Sequence, residues 1–347
     1  MRKLIYVILM MFVLLVGCSK EDEEQVQVTE EEKEEIPETE EESSGNVYPL
    51  TGMKTNDSVD NRIISIMINN HSDARPQTGL SQADIVFEIL AEGKITRFLA
   101  LYQSDLPEVV GPVRSAREYY FELANGYDAI YVYHGAADFV NDMIVNEGVN
   151  FLNGSTYDND GNLFKRESFR KAPHNSYLLM EAVYEVAEGK GYKTTENHEP
   201  LTFLSEDELT EIQGESAKHV EIVYSDNPME IVEFEYDVET GKYSRFNDKE
   251  QTVELDTGEL IQVDNVFIVE TRHEVIDDAG RRAIDLESGG NAFLIQKGKI
   301  QEVEWANQNG RIVPVMDGRT LGLVPGQTWI NVVPTTPGLQ QSVSITN

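Results

Sequence analysis

The first twenty residues constrain this chain most, because they set the compartment in which it folds. Arg2 and Lys3 form a short positive start, and an apolar run follows over residues 4–16. That run is shorter than the ~20 residues that a membrane-spanning helix needs. A positive start followed by a short apolar core is typical of a secretion signal, so we predict a signal peptide over residues 1–17.

Gly17 and Cys18 resemble the bacterial lipobox, whose cysteine is acylated and becomes the first residue of the mature protein. One fatty chain anchors only marginally, so we expect palmitate-type diacyl or triacyl modification at Cys18. The predicted location is the extracytoplasmic face of the cell membrane. Cys18 is the only cysteine, so its acylation leaves the folded part without disulfides, thiolate nucleophiles or cysteine-ligated metals. An ordinary signal peptide with an incidental cysteine is the alternative.

Residues 18–45 predict a lipid anchor followed by a disordered acidic tether. Residues 19–45 hold 13 acidic and 2 basic residues, too few apolar groups to bury a core. The whole chain carries a net charge of −34, and residues 46–347 carry −25 of it. This acidity argues against nucleic acid as a partner. The predicted partners are therefore the membrane, through the anchor, and a cell-wall polymer or an envelope protein.

About 300 residues remain for the fold, which favours two domains. The predicted class is α+β or α/β, with a mixed N-terminal α/β domain at 46–200 and a smaller β-rich C-terminal domain at 215–347. The joint at 194–214 is polar and rich in glutamate, and a short helix fits there. The C-terminal part shows short apolar runs between turn dipeptides. We predict strands there at 219–224, 231–237, 242–247, 266–272, 292–297, 300–305 and 328–333.

The N-terminal part mixes strand and helix patterns. Residues 63–69 predict a buried strand, and 84–103 fit either a hairpin, which we favour, or a helix and a strand. Ser115 and Glu118 have the spacing of a capping box at a helix start. A strand at 128–134 and a helix at 136–147 follow, with glycine turns between them. A third helix is predicted from Asn175 and Ser176.

Basic and polar clusters stand out in so acidic a chain. Arg114 and Arg117 flank a predicted helix start, where the macrodipole disfavours cations unless an anion sits between them. His134 ends a predicted strand, at the place where open α/β sheets collect ligands. The predicted ligand-binding residues are Arg97, Arg114, Arg117, His134, His174 and Asn175.

These residue types fit a phosphate, a phosphodiester or a carboxylated sugar, because arginine binds such anions in a bidentate manner. His134 and His174 are the candidates for proton transfer. The alternative is that the arginines pair with carboxylates, for instance Asp84, Glu88 or Glu92, and only organise the fold.

Other signals are weaker, and we predict no cofactor and no metal. Asp158, Asp160 and Glu167 have the spacing of part of a calcium loop. Thr156 stands at the first ligand position without a carboxylate, so a solvated turn is favoured over a calcium site. Ser115 and Ser176 are better explained as helix caps than as nucleophiles. Trp305 and Trp329 are expected in the core.

The segments 75–84, 92–97, 111–117 and 172–175, together with Trp305 and 325–329, are characteristic. In these segments the chain resembles a known family, the YerB-like lipoproteins of Gram-positive bacteria. The resemblance covers nearly everything from residue 50 onward. It implies a two-domain envelope lipoprotein, but that family consists of domains of unknown function, so it implies no catalytic residue. Lys94 stands where the family commonly has a second glycine.

Three functions compete at this point, and whether the protein is an enzyme stays open. The first is a non-catalytic, membrane-anchored module that binds a cell-wall polymer or an envelope enzyme and acts in cell-wall processes. The second is a hydrolase or transferase that acts on an anionic glycan or phosphodiester of the wall. The third is a solute-binding lipoprotein. It is disfavoured because that class has two similar α/β lobes, whereas the second half of this chain is predicted to be β-rich.

Overall fold

A computed structural model describes residues 45–224 and 231–347; the predicted signal peptide, Cys18 and the acidic tether up to residue 44 lie outside the described residues. Residues 44–347 form one compact unit. Among the described residues, no helix is both long enough and apolar enough to cross a membrane.

Strands make up most of the regular structure. Those of the first half are β1 (Asn46–Val47), β2 (Lys54–Thr55), β3 (Ile64–Asn69), β4 (Ile85–Leu90), β5 (Thr96–Tyr102), β6 (Val109–Val110), β7 (Ile130–Tyr133), β8 (Phe151–Asn153), β9 (Phe164–Arg166) and β10 (Ser176–Leu179). Those of the second half are β11 (Glu215–Ser216), β12 (His219–Val223), β13 (Ile231–Asp237), β14 (Lys242–Asn247), β15 (Glu250–Gln251), β16 (Gln262–Val263), β17 (Asn265–Thr271), β18 (His273–Val275), β19 (Arg282–Ile284), β20 (Gly290–Gln296), β21 (Lys299–Gln308), β22 (Arg311–Met316), β23 (Arg319–Thr320), β24 (Thr328–Pro334) and β25 (Val343–Thr346).

Helices are short. The α-helices are α1 (Glu118–Gly126), α2 (Asp138–Asn146), α3 (Val183–Gly189), α4 (Glu206–Thr210) and α5 (Leu339–Ser342). Single 3₁₀ turns lie at Ser72–Ala74, Leu80–Gln82, Glu92–Lys94 and Met180–Ala182. The fold is therefore more β-rich than the mixed α/β class that we predicted.

A twelve-stranded sheet dominates the molecule, in the order β23-β22-β21-β20-β17-β24-β4-β5-β3-β7-β8, with β11 added to β21. β4 from the first half pairs in parallel with β24 from the second half, so one sheet runs through both halves. The predicted hairpin at 84–103 is confirmed, since β4 and β5 are antiparallel. A six-stranded sheet, in the order β15-β14-β13-β12-β25 with β16 added to β14, is formed wholly by the second half.

Two apolar cores lie on the two faces of the large sheet. On one face Ile66 and Phe98 pack with Val220 and Phe234 of the six-stranded sheet. On the other face the large sheet packs against the helix α1. Strands buried on both faces read as continuous apolar runs, which explains why 63–69 shows no polar face. Trp305 and Trp329 are both buried, as predicted.

Two helix starts that we predicted in the first half are wrong, although α1 and α3 lie within the two predicted helices. The segment at Asn175 and Ser176 begins the strand β10, which pairs with β6 and β9. The predicted cap at Ser115 is also incorrect, because α1 begins two residues later than predicted, with Arg117 as its N-cap and without a side-chain cap. The Ser115 hydroxyl instead donates to the carbonyl of His134 at 3.2 Å. Tertiary hydrogen bonds thus override two local helix signals.

Candidate functional site

The predicted ligand-binding residues meet at one edge of the large sheet. β3, β7 and β8 run parallel, so their carboxyl ends share that edge. Asn69 ends β3 and pairs with Arg97 on the antiparallel strand β5. His134 directly follows β7. This is the edge at which open sheets with parallel strands commonly bind ligands.

The segment 111–117 crosses this edge and carries Arg114 to its middle. The Arg114 amide donates to the carbonyl of Met67 at 2.9 Å, and its carbonyl accepts from the amide of His134 at 2.9 Å. The preceding amide, of Val113, donates to the carbonyl of Ser176 at 2.7 Å. Arg114 is thereby fixed among β3, β7 and β10, three elements far apart in the sequence.

Glu92 neutralises two of the three predicted arginines. Arg97 contacts it at 3.0 Å and Arg117 at 2.7 Å, and a second, shorter bond links Arg117 to the same carboxylate. Burial alone would raise the pKa of Glu92, but the hydrogen bond from Arg117 and the charge of Arg97 hold it below its usual range. Burial, together with the charge of Arg117, lowers the pKa of Arg97 to about 10. For Arg97 and Arg117 the alternative of pairing with carboxylates is therefore correct.

Arg114 differs from these two, because its guanidinium makes no hydrogen bond or ion pair with any residue that the structure describes. Its side chain is half-buried, and burial together with the nearby charge of Arg117 lowers its pKa. Three guanidinium groups thus share one carboxylate in a strongly acidic protein. The uncompensated positive charge is centred on Arg114.

His134 is held through both ring nitrogens. Its Nδ1 lies 2.7 Å from the Ser176 hydroxyl, and its Nε2 lies 3.3 Å from the Arg166 guanidinium. Arginine can only donate, so Nε2 accepts and the imidazole is neutral. Burial lowers the pKa of His134, and the charge of Arg166 lowers it further. His134 therefore positions its neighbours and has no nitrogen left for proton transfer.

Arg166 also positions Asn175, whose side-chain oxygen accepts a hydrogen bond from Arg166 at 2.9 Å.

The predicted calcium ligands form hydrogen bonds and ion pairs within the protein in the same region. Asp158 pairs with Arg166 at 2.6 Å, and Asp160 accepts from the amides of residues 162, 163 and 164. Glu167 pairs with Lys165 at 2.8 Å. These carboxylates stabilise the turn internally.

His174 lies on the other side of Arg114, next to His71. The two rings are 4.7 Å apart between centroids. The side-chain amide of Asn69 contacts Nδ1 of His174 at 2.9 Å, which leaves Nε2 without a partner among the described residues. Burial lowers the pKa of His174, and the charges of His71 and Arg114 lower it further. His174 is thus a neutral imidazole with one nitrogen available to a ligand.

His71, Asp73 and His174 are the group of potential metal ligands within the described part of the chain, with one ligand atom from each within 4.8 Å of the others. We did not predict His71, Asn69 or Arg166. The run Asn69-Asn70-His71 directly after a predicted strand was the available signal, because polar residues at that position commonly line a site.

The larger cavities of the described residues lie elsewhere. An open groove of about 490 Å³ includes Glu270, Glu302, Glu304 and Asp317, and no lysine or arginine lines it. A polar cavity of about 280 Å³ is lined by Arg75 and Arg245 among other residues, and Arg245 is already paired with Glu88. Carboxylates suit cations, so the acidic groove does not fit the predicted anion. The chemistry at Arg114, and not cavity size, identifies the candidate site.

Comparison with known families shows to which protein family the chain belongs. The N-terminal domain of the family described as "Protein of unknown function (DUF3048)" matches residues 50–193, and its C-terminal domain matches residues 220–330. The chain belongs to this family. The predicted resemblance to YerB-like proteins is thereby confirmed.

Individual relatives agree with the family assignment. The chain is 46% identical over 288 residues to the "Putative lipoprotein YerB" of Bacillus subtilis (strain 168), covering 82% of this chain and 86% of that protein. It also matches the crystal structure of the YerB protein from Bacillus subtilis with a TM-score of 0.80 and 44% identity. That match covers 87% of this chain and all of the solved chain.

Proposed function

We propose that this protein is a lipid-anchored, extracytoplasmic lipoprotein whose folded part binds an anionic group of the cell envelope at Arg114. The leader that ends at Gly17 and Cys18 supports the anchor, as does the name lipoprotein given to the Bacillus subtilis relative. The acidic tether would hold the folded part away from the membrane. Cell-wall polymers carry phosphodiester and carboxylate groups, which makes them the proposed partner.

The unpaired Arg114 is the observation that carries this proposal. A half-buried guanidinium without a carboxylate costs free energy unless a ligand compensates it. Charge-assisted hydrogen bonds from arginine to an oxyanion are among the stronger polar contacts in proteins. Arg97 and Arg117 add positive potential that Glu92 only partly cancels. Because the rest of the protein is acidic, we expect binding that is local to this edge and weakened by salt.

Binding without turnover fits the site better than catalysis. His134 has no free nitrogen, and Ser176, the nearest hydroxyl to it, is buried and hydrogen-bonded to it. His174 offers a donor but has no base or nucleophile within hydrogen-bond reach among the described residues. General acid–base catalysis requires a group that can both take up and release a proton near the substrate. An adapter that retains an anionic polymer needs only the donors.

Retention of purified wall polymer tests the proposal. The folded unit, residues 44–347, is incubated with teichoic acid and with peptidoglycan, and both bound protein and soluble fragments are measured. We expect retention on the polymer that weakens with salt, and no released fragments. Arg114→Gln should abolish retention, and Arg319→Gln is the matched control, because Arg319 is exposed and also lacks a hydrogen bond or ion pair in the described residues. Equal retention of both variants would contradict the proposal, and released fragments would favour the hydrolase.

A further inference from the structure

We infer that Asn69 makes the corner formed by Asn69, His71, Asp73 and His174 selective for an oxyanion over a metal ion. Asn69 does so by fixing the tautomer of His174. The inference rests on the proposed function, because this corner lies beside Arg114 and would contact the same ligand. It adds the chemical class of that ligand, an acceptor-only oxyanion such as a phosphodiester or a carboxylate.

The side chain of Asn69 can adopt only one useful orientation. It is buried, with 3% of its surface exposed. Its Oδ1 accepts from the amide of His71 at 3.0 Å, so Nδ2 is the atom that faces Nδ1 of His174 at 2.9 Å. Turning the amide over would place two donors against each other at His71.

This orientation decides where His174 carries its hydrogen. An amide nitrogen only donates, so Nδ1 of His174 must present its lone pair to Asn69. A neutral imidazole has one hydrogen, which is then on Nε2. Nε2 has no partner among the described residues, and it is therefore a free donor beside the free donors of Arg114.

The same tautomer disfavours a metal ion, although His71, Asp73 and His174 could otherwise hold one. A histidine that ligates a metal usually donates its second ring N–H to a carboxylate or a carbonyl. Here the second nitrogen faces a donor, so Nε2 keeps its hydrogen and has no lone pair for a metal. The positive charges of Arg114 and Arg170 also oppose a cation at His174, and they outnumber the one opposing charge there, that of Asp73. Both effects favour an oxyanion.

The first test is the tautomer itself, read from ¹⁵N NMR of the histidine side chains in residues 44–347. We expect wild-type His174 to carry its hydrogen on Nε2. In Asn69→Asp a carboxylate would accept from the His71 amide and from Nδ1–H of His174, so the hydrogen should move to Nδ1. A wild-type His174 with its hydrogen on Nδ1 would overturn the inference, whether or not any anion binds.

The second test is a pair of titrations, with sulfate and with Zn²⁺, followed by calorimetry and by the His174 resonances. The wild type should bind sulfate, and His174 should not respond to Zn²⁺. Asn69→Asp should weaken sulfate binding and strengthen Zn²⁺ binding at His174, each about tenfold or more. Asn309→Asp is the matched control, because it adds the same charge on the exposed turn between β21 and β22. Unchanged affinities in Asn69→Asp, or tight Zn²⁺ binding to wild-type His174, would contradict the inference.

The third test uses a pair of His174 variants and covers the case in which Asn69→Asp does not fold. Glutamine places an amide N–H close to where histidine places Nε2, so His174→Gln should keep sulfate affinity within a few-fold of the wild type. His174→Ala should lose it. Equal affinities in these two variants would show that the Nε2 donor has no role. Arg114→Gln tests the proposed function separately. If Arg114→Gln binds sulfate as tightly as the wild type, the anion site at Arg114 is refuted, while the tautomer of His174 is not.

Discussion

Two arginines in this molecule, Arg245 and Arg114, show how the same side chain serves two purposes. Arg245 is 1% exposed and lies between the two sheets. It forms a bidentate pair with Glu88, with contacts at 2.9 and 3.0 Å from one nitrogen. It also lies against the rings of Phe98 and Trp329. Arg114 has the positive charge and none of these partners among the described residues.

The difference lies in the polar partners that each side chain has. All three nitrogens of Arg245 donate to buried partners, two of them to Glu88, so Arg245 stabilises the packing of the second half on the first. Arg114 is fixed through its backbone only, so its guanidinium remains available. Arginine content in an acidic chain is therefore a weak sign of binding. An arginine whose backbone is fixed and whose side chain is unpaired is a stronger one.

The largest expected effect is on Arg245. Arg245→Ala leaves Glu88 buried without its cation, and breaking one side of a buried pair typically costs about 3–5 kcal/mol. Chemical denaturation should show this loss, while sulfate binding at Arg114 in the remaining folded protein stays unchanged. The double variant Glu88→Gln with Arg245→Met removes both charges and should recover much of the stability. A change in sulfate affinity would mean that the two regions are coupled.

Glu92 lies between the two cases and should give an intermediate effect. Glu92→Gln removes the partner of Arg97 and Arg117, which we expect to cost about 1–3 kcal/mol of stability. Sulfate should bind more tightly, because three guanidinium groups then lack a carboxylate. The folded-state pKa of Glu92 is depressed, so its contribution is present above its unfolded pKa and is lost as the pH falls. Glu92→Gln should therefore lose less stability than the wild type between about pH 5 and pH 3; a parallel loss would contradict the pairing.

Arg114→Gln should separate binding from stability most cleanly. Losing charge-assisted hydrogen bonds costs about 1.5–3 kcal/mol, so sulfate affinity should fall about tenfold or more. The free energy of unfolding should change by no more than about 0.5 kcal/mol, since no hydrogen bond or ion pair with the described residues is lost. Calorimetry and denaturation measure the two quantities on the same sample. A large loss of stability with unchanged affinity would place Arg114 in the same class as Arg245.

The smallest expected effect is that of pH near neutrality. Burial and the neighbouring charges of His71 and Arg114 lower the pKa of His174, so it stays neutral above about pH 7 and donates unchanged. Sulfate affinity should vary by less than about twofold between pH 7 and 8.5. A fall in affinity that follows a single titration in this range would show that a protonated histidine is part of the site.

Local patterns predicted the strands better than the tertiary contacts between them. Buried apolar runs such as 63–69 gave strand positions, and His134 was correctly placed at a strand end. The helix start expected at Ser176 was wrong because β6 and β9 supply strand partners that no local pattern shows. Asn69 and Arg166 were missed because their roles depend on contacts with His174 and His134, more than thirty residues away in each case.

Site-resolved NMR of the arginine Nε–Hε groups during titration with a phosphodiester tests the central claim most directly. We expect the Arg114 signal to shift and saturate, while the Arg245 signal stays in place. Equal shifts at both, or a shift at Arg97 and Arg117 without one at Arg114, would contradict an anion site centred on Arg114.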